Sequence, residues 1–300
     1  MMRRILLFLA MVCLLSSCSG REPESRYPVT AAAFDFADGS LRLTLELMIS
    51  ADGGGKSDMT PTCFVGRGDS FSSAMVDAAQ SVGRDITFDH MAIAILGEGL
   101  EGSSLADAIS FCAEIKGVTP ALELVCAEDG GRLLTEAVKG GSALAYEITA
   151  ALNSKASSAY TDGCRLADVS DRRLKELLWA IPKLALEAES KDQQQVKRVG
   201  LTIYTGDRIL ETLTGEQSLI WRMLEGYSVS GNVRFGETDF ELAGARLADG
   251  HLTVTLRSGD AVMAGEAIAR MRQQLTASKP SLFSTEALNE IDIEVVQSLW

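Results

Sequence analysis

Three glycines near residue 100 have the spacing of a dinucleotide-binding turn. Gly97, Gly99 and Gly102 satisfy G-x-G-x-x-G, an apolar run precedes them and a helical pattern follows. In that chemistry the backbone approaches a pyrophosphate at a helix N-terminus, and an acidic residue about 20 positions later, here near Glu123, binds the ribose. The motif normally follows the first strand of its domain, whereas two predicted strands and a helix precede it here. We therefore favour a strand-to-helix corner in which glycine provides backbone freedom, with no bound cofactor.

The residue with the clearest chemical role is Cys18. Two arginines and the apolar run Ile5–Leu15 have the pattern of an export signal, and eleven apolar residues are too few to cross a membrane, which takes roughly 20. The segment LSSC that ends at Cys18 resembles the bacterial lipobox, in which a small residue precedes the cysteine that becomes the mature N-terminus. We predict that residues 1–17 are removed as a lipoprotein signal peptide and that Cys18 carries the lipid anchor.

The mature chain is strongly acidic. The full sequence has 28 basic and 41 acidic residues, a net charge of −13, and removal of two arginines with residues 1–17 leaves 26 against 41, or −15. Such a surface repels phosphate backbones and anionic lipid, which excludes nucleic acid as a partner and a basic patch as a general means of membrane adhesion. Anchoring is therefore left to the lipid on Cys18.

Histidines and cysteines are the remaining residues with catalytic or metal-binding potential. His90 precedes an apolar strand and His251 adjoins a turn, but neither has a visible nucleophile or metal partner, so both are interpreted as structural. The sequence contains no hydrolase, P-loop or zinc-protease motif. We predict no catalytic residue and no metal site.

Four cysteines follow Cys18 in the sequence: Cys63, Cys112, Cys126 and Cys164. Export permits disulfides, and four cysteines allow three complete pairings. Their wide spacing, and the apolar neighbours that three of them have, favour buried free thiols, but the sequence leaves their disulfide status open.

Hydrophobic periodicity indicates an alternation of strands and helices before residue 130. Strands are predicted over 40–50, 91–96 and 121–128, and helices over 69–83 and 103–117. The strand 40–50 alternates apolar with polar residues, which is typical of a sheet with one exposed face. Residues 131–181 are predicted to be mainly helical. This order indicates a sheet flanked by helices.

A polar run at residues 189–198 marks the predicted boundary between two mixed α/β domains. The first covers 18–190 and the second 198–300, giving an α+β protein after the signal peptide. In the second, strands are predicted over 199–204 and 208–213, a capping box at Thr214 and Gln217 opens a helix over 216–226, a hairpin turns at Asp249 and Gly250, and helices lie near 262–275 and 284–298.

The order of these features resembles the Ger(x)C family, the C-subunit lipoproteins of spore germinant receptors. The resemblance rests first on the lipobox cysteine and on a block in which a glycine and a hydroxyl open a helix, followed by a histidine, an apolar strand and Gly-Glu. The residues that match this block are Gly68, Ser70, His90, Gly97 and Glu98. A second block matches the family at Gly200, Leu201, Leu210, Leu213, Gly215 and Glu216.

Two departures from the family pattern stand at the ends of the chain. The Trp-Asp pair that follows the lipidated cysteine is replaced by Ser19 and Gly20, and the C-terminal region is shorter than in the family. The family's third domain and any partner surface on it are therefore in doubt.

The resemblance implies a non-enzymatic receptor subunit. It would be held by lipid on the outer face of the inner spore membrane, and it would work with an A subunit and a transporter-like B subunit. The family has the Gly97-Glu98 pair without nucleotide binding. Two alternatives remain open at this point: a lipoprotein that binds a small molecule or peptide independently, and an unrecognised exported hydrolase.

Overall fold

A nine-stranded mixed sheet forms the larger part of the computed structural model. The structure describes residues 26–50, 59–141, 143–152, 164–188, 194–227, 229–235, 238–248, 251–257, 269–270, 273 and 293–297. The strands are β1 (Arg26–Ala37), β2 (Ser40–Ser50), β3 (Met59–Gly68), β4 (Asp85–Thr87), β5 (Ile93–Gly97), β6 (Glu123–Ala127), β7 (Trp179–Ala188), β8 (Gln194–Thr205), β9 (Arg208–Thr214), β10 (Gly231–Phe235), β11 (Thr238–Ala248), β12 (His251–Arg257) and β13 (Ile293–Gln297). The helices are α1 (Phe71–Val82), α2 (Ser103–Glu114), α3 (Gly130–Lys139), α4 (Leu144–Leu152), α5 (Leu166–Leu174) and α6 (Gly215–Leu224).

The large sheet is ordered β3-β2-β1-β5-β6-β7-β8-β9, and β4 pairs with the start of β1. Strands β1, β5, β6 and β7 are parallel, and antiparallel hairpins β2–β3 and β8–β9 extend the sheet at its two ends. One face buries the larger hydrophobic core beneath α1, α2 and α5, and the other packs on α3, α4 and α6. The predicted α+β class, a sheet flanked by helices, is confirmed.

Both faces of β2 are buried, although its alternating sequence predicts one exposed face. Its polar residues Thr44 and Glu46 are 1% and 0% exposed, because α3 and α4 cover the second face of the sheet. The alternation shows which residues of a strand are polar, but it does not show what covers them. Here the polar residues of β2 lie beneath helix N-termini rather than in water.

Four strands of the large sheet were not predicted from the sequence: β1, β3, β4 and β7. The apolar run of β1 has little alternation because β1 lies in the middle of the sheet and is buried on both faces over Val29–Phe34. In β3, Pro61 and two glycines interrupt the strand pattern. A proline is tolerated there because β3 is an edge strand.

The polar run at 189–198 does not separate the two sheets. Strands β7 and β8 pair as an antiparallel hairpin from Trp179 and Tyr204 to Ala188 and Gln194, so β8 and β9 belong to the sheet that begins at residue 26. Trp179–Ile181, predicted as the end of a helical region, begins β7. Within the described part of this run, Gln195 and Lys197 are exposed and Val196 packs against the core.

A second, four-stranded sheet of order β10-β11-β12-β13 follows α6. The predicted hairpin is confirmed, because β11 and β12 pair antiparallel up to Ala248 and His251. The capping box at the start of α6 is also confirmed, since the Thr214 N–H donates to Gln217 Oε1 at 3.0 Å.

The helix predicted near 284–298 is wrong in its described part. Ile293–Gln297 is β13, which pairs parallel with β12, and its β-branched residues favour a strand. The helix predicted near 262–275 lies mostly outside the described residues.

Candidate functional site

Cys18 lies outside the described residues, and so does the whole of the predicted signal peptide. The described chain begins at Arg26, eight residues after Cys18, with the first residue of β1. Lipid attachment at Cys18 therefore stays a prediction.

The glycine corner, residues 97–102, connects the end of β5 to α2. Gly97 is buried, and a Cβ placed on it would collide with Asp35 Oδ1 and lie 3.1 Å from the Phe34 carbonyl oxygen. Gly99 is exposed, and a Cβ there would lie 3.2 Å from the carbonyl oxygen of Phe36. Gly102 has φ +57°, a conformation that favours glycine, and nothing lies within 4 Å of its Cβ position. Close packing therefore requires a glycine at position 97, and the backbone conformation favours one at position 102.

Backbone and side-chain groups of the protein occupy the amides of the glycine corner. The Gly102 N–H donates to the Asp207 carbonyl oxygen at 2.7 Å, and the Glu98 N–H donates to the Ala127 carbonyl oxygen at 2.9 Å. The Glu98 carboxylate forms an ion pair with Lys183 Nζ at 2.6 Å, and the Glu101 N–H donates to Ser104 Oγ at 3.1 Å. These contacts give the corner the role of a joint between β5, β6, β7 and the β8–β9 turn.

Glu123, the acidic residue at the spacing expected for a ribose ligand, lies at the wrong end of its strand. It is the first residue of β6 and pairs in register with Ile93, whereas Gly97 pairs with Ala127, four residues further along. That separation is about 13 Å at roughly 3.3 Å per residue. A dinucleotide site requires both groups at the carboxyl end of the strands. Burial raises the pKa of Glu123 despite Arg165, whose Nε lies 3.9 Å from Oε1.

A glycine-rich anion site exists one strand further along, and a carboxylate of the chain fills it. The glycine pair, Gly130 and Gly131, forms the first turn of α3, and their N–H groups donate to the two carboxylate oxygens of Asp35 at 2.8 and 2.9 Å. Arg42 Nη2 lies 3.2 Å from Asp35 and also binds Asp129, the N-cap of α3. Burial raises the pKa of Asp35, with the glycine hydrogen bonds and Arg42 acting in the opposite direction.

Glu46 plays the same role for α4. Its Oε2 accepts the Leu144 N–H at 2.8 Å at the start of the helix, and Oε1 accepts the hydroxyl of Thr30. Burial raises the pKa of Glu46 above its ordinary 4.5, against the opposing effect of these hydrogen bonds. Asp35 and Glu46 were missed in the sequence analysis, and Glu46 was assigned only to the polar face of an alternating strand.

In the described part of the chain, the histidines and cysteines do not come together in a catalytic or metal-binding site. His90 is exposed in the turn before β5, and His251 is the first residue of β12. The thiols of Cys63, Cys112, Cys126 and Cys164 are all free, and burial raises the pKa of each, to about 12 for Cys63 and about 11 for Cys126. Among the described residues, no three His, Cys, Asp or Glu side chains are grouped to hold a metal ion.

An apolar crevice lies between α4 and the β7–β8 hairpin. Its volume is about 60 Å³, below the roughly 300–1,000 Å³ typical of small-molecule sites, and Glu147 and Arg198 provide its charged groups.

No helix in the described residues is long and apolar enough to span a membrane.

The protein has an α+β fold, and its glycine corner, which has the spacing of a dinucleotide motif, packs against the strands of a mixed sheet. Comparison with protein-family models matches residues 19–184 to the spore germination protein N-terminal domain. This match covers more than half of the chain, which therefore belongs to the Ger(x)C family of spore germination proteins, as the resemblance predicted. Membership connects the chain to spore germination, to a receptor complex and to association with a membrane. Searches of curated proteins and of solved structures returned no match.

Proposed function

We propose that this chain is a lipid-anchored, non-enzymatic subunit of a nutrient germinant receptor, attached through Cys18 to the outer face of the inner spore membrane. The observation that carries the proposal is the family match, which begins at residue 19, directly after the lipobox cysteine. A mature N-terminus at Cys18 leaves the matched region intact.

The subunit acts with an A subunit and a transporter-like B subunit in this proposal. Lipid at Cys18 keeps the domain close to partners that lie in the same membrane, which raises its effective concentration there without any contact of its own. Because the chain carries a net charge of −15 after residue 17, the lipid is needed for this proximity.

The test is a pair of cysteine substitutions in spores. Cys18→Ala should release the protein from the membrane fraction and slow nutrient-triggered germination by on the order of tenfold or more, since proximity to the partners is lost. Cys13→Ala changes a cysteine inside the removed leader and should leave both unchanged. In detergent, the wild-type protein should co-purify with A and B subunits. Retention of Cys18→Ala in the membrane with normal germination would overturn the proposal.

A further inference from the structure

Phe36 is an exposed aromatic residue in a part of the fold that otherwise buries aromatic rings. Its side chain lies on the same face of β1 as that of Phe34, because side chains alternate along a strand. Phe34 is fully buried, and its ring packs edge-on against the ring of Phe71 at 4.9 Å, whereas Phe36 is 49% exposed. Aromatic side chains are the residues that most often anchor protein–protein contacts, so this ring is a candidate anchor.

Short connections between neighbouring elements leave the ring of Phe36 open. Strands β1 and β2 are joined by only two residues, Asp38 and Gly39, both with positive φ, which is the geometry of a tight hairpin. Gly68, the last residue of β3, lies two strands away at the same level. On the other side, the Cβ position of Gly99 is 3.2 Å from the carbonyl oxygen of Phe36. These tight connections contribute no side chain large enough to cover the ring.

Acidic side chains surround Phe36 on these connections. Asp38 lies in the β1–β2 turn, Asp69 precedes α1, and Glu101 lies in the glycine corner. Asp107 of α2 accepts the first N–H of α1 at 2.9 Å, which fixes it beside the start of that helix. We call Phe36 and these four acids the Phe36 surface. All of it belongs to two stretches that the structure describes without a gap.

The cations at this end of the sheet do not balance the acids. Three ion pairs cancel in charge: Arg67 with Asp38, Lys183 with Glu98, and Arg173 with Asp207. Arg208 adds one cation in the β8–β9 turn, which contacts the glycine corner. The carboxylates of Asp69, Glu101 and Asp107 stand against this one cation, so three negative charges and one positive charge leave −2.

This charge restricts what can cover the ring. An anionic bilayer is repelled by the acids. A second copy of the chain that docks through the same surface would place these acids against their own kind, because a two-fold interface brings each patch onto itself. A cationic segment meets complementary charge instead, and an apolar side chain within it removes the Phe36 ring from water.

We propose that the Phe36 surface binds a cationic segment that carries an apolar side chain, in a membrane subunit of the receptor. This inference rests on the proposed function, which supplies the partner. The Phe36 ring is the anchor of the contact, and the acids around it attract the segment and fix its orientation.

Photocrosslinking in spores tests the contact directly. The photoreactive analogue benzoylphenylalanine replaces Phe36 in the full chain, made together with the A and B subunits. The matched control carries the analogue at Val76, which is 60% exposed on α1 and lies outside the surface. Irradiation should join position 36, but not position 76, to a segment of the A or B subunit in which lysine and arginine outnumber acids. No product at position 36, equal products at both positions, or a product with lipid, a second copy or an acidic segment would overturn the proposal.

Affinity measurements separate the ring from the acids. In detergent, Phe36→Ser should weaken binding of the full chain to the solubilised A and B subunits by about tenfold. Val76→Ser is the control and should leave binding unchanged. An unchanged affinity in Phe36→Ser, or an equal loss in Val76→Ser, would contradict the role of the ring.

The acids of the Phe36 surface should act through long-range attraction. In the described part of the chain, the carboxylates of Asp69 and Glu101 form no ion pair, so Asp69→Asn and Glu101→Gln are clean charge removals. Together they should weaken binding by about fivefold at low salt and reduce its salt dependence. Glu114→Gln, an exposed acid at the end of α2, is the control. The same salt dependence in all variants would contradict the charge complementarity.

The outcomes distinguish failure of the surface from failure of the proposed function. Co-purification with the A and B subunits, combined with no product at position 36, would refute the surface and retain the receptor subunit. A product at position 36 with a cationic segment of a protein other than these subunits would refute the proposed partner and retain the chemistry of the surface.

Discussion

Two strand-to-helix corners on neighbouring parallel strands use glycine in different ways. The glycine corner after β5 has the letters of a dinucleotide motif, but carbonyl oxygens and side chains of the protein occupy the amides described above. The glycine pair after β6 matches no nucleotide motif, yet two of its N–H groups converge on one carboxylate, that of Asp35. The anion chemistry of a helix N-terminus therefore depends on where the amides point and what already fills the site.

The largest effect should come from removing the anion that fills the second corner. Asp35→Ala leaves the buried amides of Gly130 and Gly131 without an acceptor and should lower the free energy of unfolding by about 2–5 kcal/mol. Asp129→Ala removes the partly exposed N-cap of the same helix and should cost about 1 kcal/mol. Urea denaturation measures both, and a loss for Asp35→Ala no larger than that for Asp129→Ala would contradict the internal anion site.

The next effect separates two glycines of one motif. Gly97→Ala forces a methyl group against the Asp35 carboxylate and should destabilise the fold by about 1–3 kcal/mol. Gly99→Ala is exposed and should change stability by less than about 1 kcal/mol. A nucleotide-binding turn predicts the emphasis on Gly99, because the second glycine admits the pyrophosphate. Urea denaturation of the two variants that ranks them in the reverse order would contradict the packing role of Gly97.

A pH-dependent effect should distinguish the buried carboxylates from ordinary surface acids. Because burial raises the pKa of Glu46 in the folded protein, the unfolded chain loses its proton first as pH rises from about 4.5. The stabilising contribution of the protonated group is therefore lost as pH increases through the folded pKa, by about 1.4 kcal/mol for each unit of elevation.

Glu46→Gln removes this titration and should show a smaller loss of stability than wild type between pH 4 and pH 7. Glu114→Gln, an exposed acid at the end of α2 on the other face of the sheet, is the control and should follow the wild-type curve. Parallel curves for wild type and Glu46→Gln would refute the raised pKa.

The smallest expected effect is none at all. Calorimetric titration with NAD and with FAD should give no heat of binding, because the glycine corner and Glu123 lie at different ends of the strands. Micromolar affinity that is lost in Gly99→Val would overturn this account of the corner.

The elements that the sequence predicts correctly are those whose hydrophobic pattern agrees with the faces that the fold buries. Helices α1, α2 and α6 and strands β2 and β12 were predicted because apolar residues recur with one clear period. Strands β5 and β6 were predicted as short apolar runs between turn signals. Strand β1 has no such period because helices cover both sides of it.

Strand β7 was not predicted from the sequence because Pro182 lies in its middle. The pairing of β7 with β6 is confined to Lys183 and Leu184, directly after this proline. The internal anion sites were also missed, because Asp35, Glu46 and Arg42 appear in the sequence as isolated charges. Only the tertiary arrangement of the two helix N-termini gives these charges partners.

The central claim is that Cys18 carries the lipid that holds this protein at the membrane. Metabolic labelling with radioactive palmitate tests it most directly, in cells that produce the wild-type protein, Cys18→Ala or Cys13→Ala. Label should appear in the wild-type protein and in Cys13→Ala, and it should be absent from Cys18→Ala. Absence of label from wild type, or equal label in Cys18→Ala, would contradict the claim.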